Sequence, residues 1–175
     1  MAAADLGVEA LFLDITATVD RWFEAPGFWM RPPQSLIDCV QASNVSVFAV
    51  DETWAFRLDA PDHILNRAFG GKGFKLRDEI YQFKNWQPEK VHVLMSLNME
   101  KTKLKKPYHV PIAWVKNYGD GKVMHMSLGH REDVWTNEIF QRIVLGGIAW
   151  ALGNVDADIA PNIAAVTPKA NQLSR

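Results

Sequence analysis

The chain has 175 residues, 48% of them hydrophobic and 22% charged, which is the size and composition of one globular domain rather than of a disordered segment. Its formal net charge of -1 gives no reason to expect a surface for nucleic acid or anionic lipid. A single cysteine excludes an internal disulfide framework and a multi-cysteine zinc site. No apolar run approaches the roughly 20 residues needed to span a bilayer, and no signal-peptide pattern opens the chain. The sequence therefore predicts a soluble, cytoplasmic protein.

The first quarter of the chain is predicted to form a strand, a loop and a short helix. Residues 10–18 are rich in β-branched and large apolar side chains, which favours a short buried strand. Prolines and a glycine interrupt residues 20–33, which indicates a loop, and the apolar spacing of residues 34–42 favours a helix. Cys39 lies on that helix without the tight turn that an exposed nucleophile needs, so we expect a buried, unreactive thiol.

The middle of the chain alternates extended segments with turns. Residues 45–58 look extended, and a turn at residues 59–63 leads into a brief helical turn that ends at Phe69. Two further strands are predicted at residues 74–83 and 91–97.

Most histidines of the chain have an ordinary structural interpretation. His63 is expected to be a turn residue capped by Asp62. His92 and His125 alternate with apolar residues, which predicts strand positions that face solvent or have their hydrogen bonds satisfied in the core. For His109 a loop role and a site role are equally supported.

The stretch of residues 112–130 predicts two strands joined by a turn at Gly119–Gly121, with His130 in the loop after the second strand. Ligands bind at the carboxyl ends of strands in open α/β sheets, so His130 is a candidate site residue. An amphipathic helix follows, which Thr136 or Asn137 can cap and which Gly153 is suited to end.

The glycine pair Gly146-Gly147 lies inside that helix. Each glycine costs about 1 kcal/mol relative to alanine, so we expect close packing against the sheet to compensate. Beyond the helix, residues 154–175 have no periodicity and are predicted to be an extended, partly mobile arm. Residues 1–153 are then the domain, and the arm is its tail.

Three side chains could combine with His130 in a site. Asp78 and Glu79 are adjacent carboxylates on a predicted strand, two residues before the phenol of Tyr81. Neighbours on a strand point to opposite faces, so at most one carboxylate can face a cleft unless the strand is bulged. A charged strand end is the alternative interpretation.

Two known chemistries were compared with this set. His130 and Glu132 have the His-x-Glu order of class I glutamine amidotransferases, but the nucleophile is missing, because Cys39 is not on a strand-to-helix elbow. A divalent metal could be held by His130, His109 and one carboxylate. No local ligand spacing supports such a site, so no metal and no cofactor are assigned.

Several segments together carry a family resemblance: Asp59-Ala-Pro-Asp-His63, Asp78-Glu-Ile-Tyr-Gln-Phe83, Val93-Leu-Met-Ser-Leu97, Pro111-Ile-Ala-Trp114, Tyr118-Gly-Asp-Gly-Lys-Val123, Ser127-Leu-Gly-His130 and Leu145-Gly-Gly-Ile-Ala-Trp-Ala-Leu-Gly153. With these the chain resembles the ThuA-like, trehalose-utilisation family, a branch of the class I glutamine amidotransferase-like superfamily. A weaker match over residues 12–20 includes Asp20, whereas Asp14 and Thr16 replace a glycine and a histidine of the family. The tail resembles extensions of bacterial members.

The resemblance implies an α/β fold. We expect a flavodoxin-like, class I glutamine amidotransferase-like three-layer sandwich with a mixed central sheet. The chain resembles the C-terminal two-thirds of such a domain, and the family's N-terminal βα units are missing before residue 10. A strand at residues 10–18 would then lack a neighbour, so we also expect a homo-oligomer formed through an exposed sheet edge.

The function that the resemblance implies is carbohydrate metabolism, on trehalose or a keto-disaccharide. His130 is the expected general acid or base, because an imidazole pKa of about 6.5 suits proton transfer at neutral pH. Asp78 or Glu79 is its expected catalytic partner. The expected sugar-binding residues are Tyr81, Trp135, His109 and Asp20. The alternative is a non-catalytic carbohydrate-binding or assembly module, or an incomplete, inactive family member.

Overall fold

The structure is a computed structural model that describes residues 45–83, 88–103 and 105–170. The predicted strand, loop and helix of residues 10–42, with Asp20 and Cys39, lie outside the described residues. Within these ranges the backbone forms five strands, namely β1 (Val45–Leu58), β2 (Phe74–Phe83), β3 (His92–Leu97), β4 (Pro111–Tyr118) and β5 (Gly121–Met126). The extended segments predicted for this part of the chain are therefore confirmed.

The five strands form one sheet in the order β2-β1-β3-β4-β5. Each neighbouring pair is antiparallel. This follows from the short connections, because a hairpin such as β4–β5 can join only antiparallel strands. The described part is thus a mixed α/β structure with an antiparallel sheet. The parallel pairs that a flavodoxin-like mixed sheet requires are not among the described residues, and that part of the expectation stays a prediction.

In the described part of the chain the sheet is accompanied by three α-helices: α1 (Glu132–Trp135), α2 (Glu138–Ala151) and α3 (Ile163–Val166). Two 3-10 helices cover Ile64–Phe69 and Pro88–Lys90. The expected cap of α2 is confirmed, since Asn137 Oδ1 accepts the backbone N–H groups of Ile139 and Phe140 at 2.9 and 3.2 Å. No helix in the described part of the chain is both long and apolar enough to cross a membrane.

The sheet is covered on two sides. Helix α2 buries Phe140, Ile143 and Trp150 in the main core, together with apolar residues of all five strands. A second, smaller apolar cluster contains Val91, Val93 and Trp114, and α3 packs against it through Ile163 and Val166.

The tail therefore differs from the extended arm that was expected. Residues 163–166 form α3, and its two partly buried apolar side chains pack against the cluster that β3 and β4 contribute to. Thr167 and Ala170 are also buried. The sequence pattern missed this helix, because four residues are too few for a helical period to show.

The expected close packing at the glycine pair is confirmed for Gly147. A Cβ atom there would overlap with the sulfur of Met124 on β5, which is itself buried. At Gly146 a Cβ would lie 3.6 Å from Leu65 Cδ2, which is an ordinary contact. A side chain at residue 147 would therefore require the buried Met124 side chain to shift.

These two glycines give a matched test of the packing. Gly146→Ala should leave the free energy of unfolding unchanged or raise it by up to about 1 kcal/mol through helix propensity. Gly147→Ala should lower it by about 1 to 3 kcal/mol, because overpacking outweighs the same propensity gain. Urea unfolding of the two variants checks this. Equal stability of the two variants would show that α2 does not depend on close approach to Met124.

Candidate functional site

The loop that carries His130 begins where β5 ends at Met126. Gly129 has a φ of +114°, a conformation that L side chains rarely adopt, and a Cβ there would lie 3.1 Å from Phe140 Cζ. Only glycine fits both the backbone and the space at this position. The glycine directly before His130 therefore shapes the loop, a role that the sequence analysis missed although Ser127-Leu-Gly-His130 was noticed.

Asp78 on β2 holds this loop. Its carboxylate is fully buried. Oδ2 accepts the backbone N–H of Gly129 at 2.7 Å, and Oδ1 accepts those of Arg131 at 3.2 Å and Glu79 at 3.0 Å. Burial raises the pKa of Asp78 above 3.8, while these N–H groups and nearby His130 act to lower it. Asp78 is thus bound to backbone on both sides of His130.

His130 lies between two side chains of β2. Its Nε2 atom is 3.5 Å from Glu79 Oε2, and its Nδ1 atom is 3.3 Å from the hydroxyl oxygen of Tyr81. The His130 side chain is 31% exposed, whereas that of Glu79 is 16% exposed, so solvent reaches the imidazole more readily than the carboxylate. The expected proximity of His130 to Glu79 and Tyr81 is observed, and their catalytic role stays a prediction.

Both adjacent carboxylates approach the His130 loop, although only Glu79 contacts the imidazole. The pairing of β1 with β2 explains this, because Asp78 is opposite Glu52 while Ile80 is opposite Ala49. Strand β1 has one more residue than β2 across this step, which is the mark of a bulge. This bulge lies on β1, whereas the sequence analysis considered a bulge in the strand that carries Asp78 and Glu79.

Trp135 on α1 lies beside the same loop. Its indole Nε1 donates to the carbonyl oxygen of Gly129 at 2.8 Å, and its ring meets that of Phe140 edge-on with 5.1 Å between centroids. The side chain is nevertheless 46% exposed. An oriented aromatic face is thus open to solvent next to His130.

His109 is placed elsewhere. Its Nδ1 atom accepts the backbone N–H of Lys169, so the residue contacts the tail rather than the His130 cluster. The pKa of His109 is lowered by burial and by the nearby charges of Arg57 and Lys169. No contact between His109 and His130 is among those of the described residues, and sugar binding by His109 stays a prediction. Among the described residues no group of three or more His, Cys, Asp or Glu is arranged to hold a metal ion.

The fold and this cluster together define an α/β protein with a candidate acid–base site. The ThuA family model, described as trehalose utilisation, matches residues 20–151, so the chain belongs to the ThuA family. A protein described as ThuA-like from Bacteroides uniformis is similar at 17% identity and a TM-score of 0.49, over 61% of this chain and 45% of that one. This chain thus spans less than half the length of that protein. No curated protein matches the chain.

The role of Asp78 can be separated from that of Glu79 by two amide variants. Asp78→Asn should lower the free energy of unfolding by about 1 to 3 kcal/mol, because the amide NH₂ cannot accept the buried backbone N–H groups. Glu79→Gln should cost less than about 1 kcal/mol, since it removes only the contact with His130. Denaturant unfolding measures both. Similar losses for the two would mean that Asp78 does not anchor the loop.

Proposed function

We propose that this protein carries out acid–base chemistry on a sugar, of the trehalose or keto-disaccharide type, with His130 taking up and returning the proton. Membership of the trehalose-utilisation family supports a role in carbohydrate metabolism. The acid–base part of the proposal rests on the position of the His130 imidazole between Glu79 and Tyr81.

The two neighbours favour one tautomer of His130. A carboxylate beside Nε2 favours an N–H there, which leaves the Nδ1 lone pair to accept the Tyr81 hydroxyl proton. In this arrangement a sugar proton reaches Nδ1 through the Tyr81 hydroxyl group, which passes its own proton to the ring and takes up that of the sugar. Glu79 orients the ring and stabilises the imidazolium that forms. The distances of 3.5 and 3.3 Å are long for hydrogen bonds, and such contacts often shorten when substrate binds.

In this proposal Asp78 is a positioning residue, whereas the sequence analysis expected a catalytic role for it. Its oxygens are occupied by backbone N–H groups, and the residue is fully buried. We assign it to positioning: it holds Gly129 and Arg131, and through them the backbone of His130. Glu79 is then the partner carboxylate.

Trp135 and Tyr81 form the proposed sugar wall. Sugars present apolar C–H faces, which an exposed aromatic ring can cover, and the Trp135 ring is both oriented and accessible. Tyr81 is nearly buried, so its contribution is through the hydroxyl group. Asp20 stays a proposed sugar contact, and it lies outside the described residues.

The proposal also includes the type of sheet, the quaternary structure and the cellular location. A flavodoxin-like, amidotransferase-like sandwich with a mixed sheet would need parallel strands in addition to the five antiparallel ones. Self-association through an exposed sheet edge, at the strand predicted for residues 10–18, is the proposed quaternary contact, and those residues lie outside the described ones. Cytoplasmic location likewise stays a prediction.

The test is proton exchange. Trehalose and its 3-keto derivative are incubated with the protein in D2O, and loss of individual sugar C–H signals is followed by ¹H NMR. The keto sugar has an acidified C–H next to its carbonyl group, so a general base should exchange it. His130→Asn should slow the exchange by about 10²- to 10⁴-fold, the range for a general acid or base. Glu79→Gln should also slow the exchange and should alter the pH dependence of its rate.

Matched controls are available on the surface. Tyr118→Phe removes an exposed hydroxyl, as Tyr81→Phe removes the one beside His130, and Glu138→Gln matches Glu79→Gln. The controls should leave exchange unchanged. Saturable binding of the sugar without exchange, equal in wild type and His130→Asn, would overturn the catalytic proposal and support the binding module.

A further inference from the structure

Trp54 on β1 contacts the backbone of the candidate site from inside the core. Its side chain is fully buried in the main apolar cluster. The indole Nε1 donates to the backbone carbonyl oxygen of Asp78 on the neighbouring strand β2, at 3.0 Å. The indole has a single N–H donor, and this donor is bonded to the residue whose carboxylate holds the His130 loop.

The peptide group between Asp78 and Glu79 is held from both sides. Its carbonyl oxygen accepts the indole N–H of Trp54, and its N–H donates to Asp78 Oδ1 at 3.0 Å. The carbonyl and the N–H belong to one planar unit, so two hydrogen bonds on opposite sides set the orientation of that plane. The direction in which the Glu79 side chain leaves the strand depends on this orientation.

The pairing of β1 with β2 explains why side chains are needed here. Asp78 is opposite Glu52 and Ile80 is opposite Ala49, while Glu79 between them has no partner in the register. The ladder of backbone hydrogen bonds is locally disrupted at a bulge, so strand pairing fixes the peptide group less firmly. Trp54 supplies a donor to the buried carbonyl at this step of the sheet.

This one peptide group carries both carboxylates of the site. The Asp78 carboxylate accepts the N–H groups of Gly129 and Arg131 on either side of His130, and Glu79 Oε2 is 3.5 Å from His130 Nε2. A rotation of the peptide group would therefore move the anchor of the loop and the partner of the imidazole together. Loss of the donor to the buried carbonyl favours such a rotation, because a polar group left unpaired in the core is unfavourable.

We propose that Trp54 is a positioning residue of the candidate site: its indole N–H fixes the peptide group between Asp78 and Glu79, and thereby the position of His130 relative to Glu79. Trp54 acts through these residues and not on the sugar. The catalytic meaning of this role rests on the proposed function, whereas the geometry that Trp54 maintains can be measured without a substrate.

The test removes the indole N–H and keeps an aromatic ring at residue 54. Benzothienylalanine, inserted by nonsense suppression, has sulfur in place of the N–H and nearly the shape of tryptophan, while Trp54→Phe has a smaller ring. The same two replacements at Trp150 are the matched controls, because Trp150 on α2 is buried in the same apolar cluster. Among the described residues the Trp150 indole makes no hydrogen bond to β2 or to the His130 loop.

The first readout is NMR of the protein with ¹⁵N-labelled histidine and backbone. Both replacements at residue 54 should shift the ring signals of His130, which are assigned by their loss in His130→Asn. Amide exchange at Glu79, Gly129 and Arg131 should become faster by about tenfold, which corresponds to the net contribution of about one hydrogen bond. The replacements at Trp150 should leave the His130 ring signals and these amides as they are in wild type.

The second readout is proton exchange of the keto sugar. At saturating sugar, the residue-54 variants should exchange about 10- to 10²-fold more slowly than wild type, because small displacements of a catalytic group reduce the rate. The sugar concentration that gives half the maximal rate should stay the same, since Trp54 does not contact the sugar. A wild-type protein that binds the sugar without exchanging it would contradict the proposed function alone.

Three results would overturn the positioning role of Trp54. One is a folded benzothienylalanine variant at residue 54 with unchanged His130 signals and amide protection, or with the same changes as its counterpart at residue 150. Another is exchange at the wild-type rate in spite of shifted His130 signals. The third is unfolding of the benzothienylalanine variant at residue 54, because the N–H would then serve stability and not the position of His130.

Discussion

The buried carboxylate of Asp78 is the interaction on which the site depends. Strand β2 and the loop after β5 belong to opposite ends of the strand order, yet Asp78 accepts N–H groups from Gly129 and Arg131 of that loop. The sheet must therefore curl to bring its two outer strands together. Burying a carboxylate is costly unless backbone donors satisfy it, so the curl and the loop conformation are stabilised together.

Histidines of the described chain make contacts in two different places. On one side of the loop, His130 contacts Glu79 and Tyr81, with Trp135 exposed beside it. Residues 158–169 contact other side chains, the imidazoles of His63, His92 and His109. The chain thus places histidine in two settings, partly exposed beside a carboxylate and a phenol, and hydrogen-bonded to the backbone of residues 158–169.

Local sequence patterns were sufficient to predict the long strands and the ends of the long helix. The boundaries predicted for β1 and β2 agree with the structure. Strand β1 is rich in apolar and β-branched residues, β2 begins with apolar and charged residues in alternation, and turn signals lie between them. Asn137 and Gly153 flank α2 as predicted, because capping depends on a few neighbouring residues. His63 departs from its prediction: it caps the 3-10 helix itself, and Asp62 does not supply that side chain.

The sequence by itself determined the family, the strands from residue 45 onward, the long helix and the pairing of His130 with a carboxylate and a phenol on β2. These depend on motifs and on side-chain periods that are short in range. Only the tertiary structure decided which carboxylate contacts the imidazole, where His109 lies and how the tail folds. Asp78 and Glu79 have the same chemistry one residue apart, and the curl of the sheet with the bulge in β1 separates their roles. Long-range contacts of this kind leave no periodic signal in the sequence.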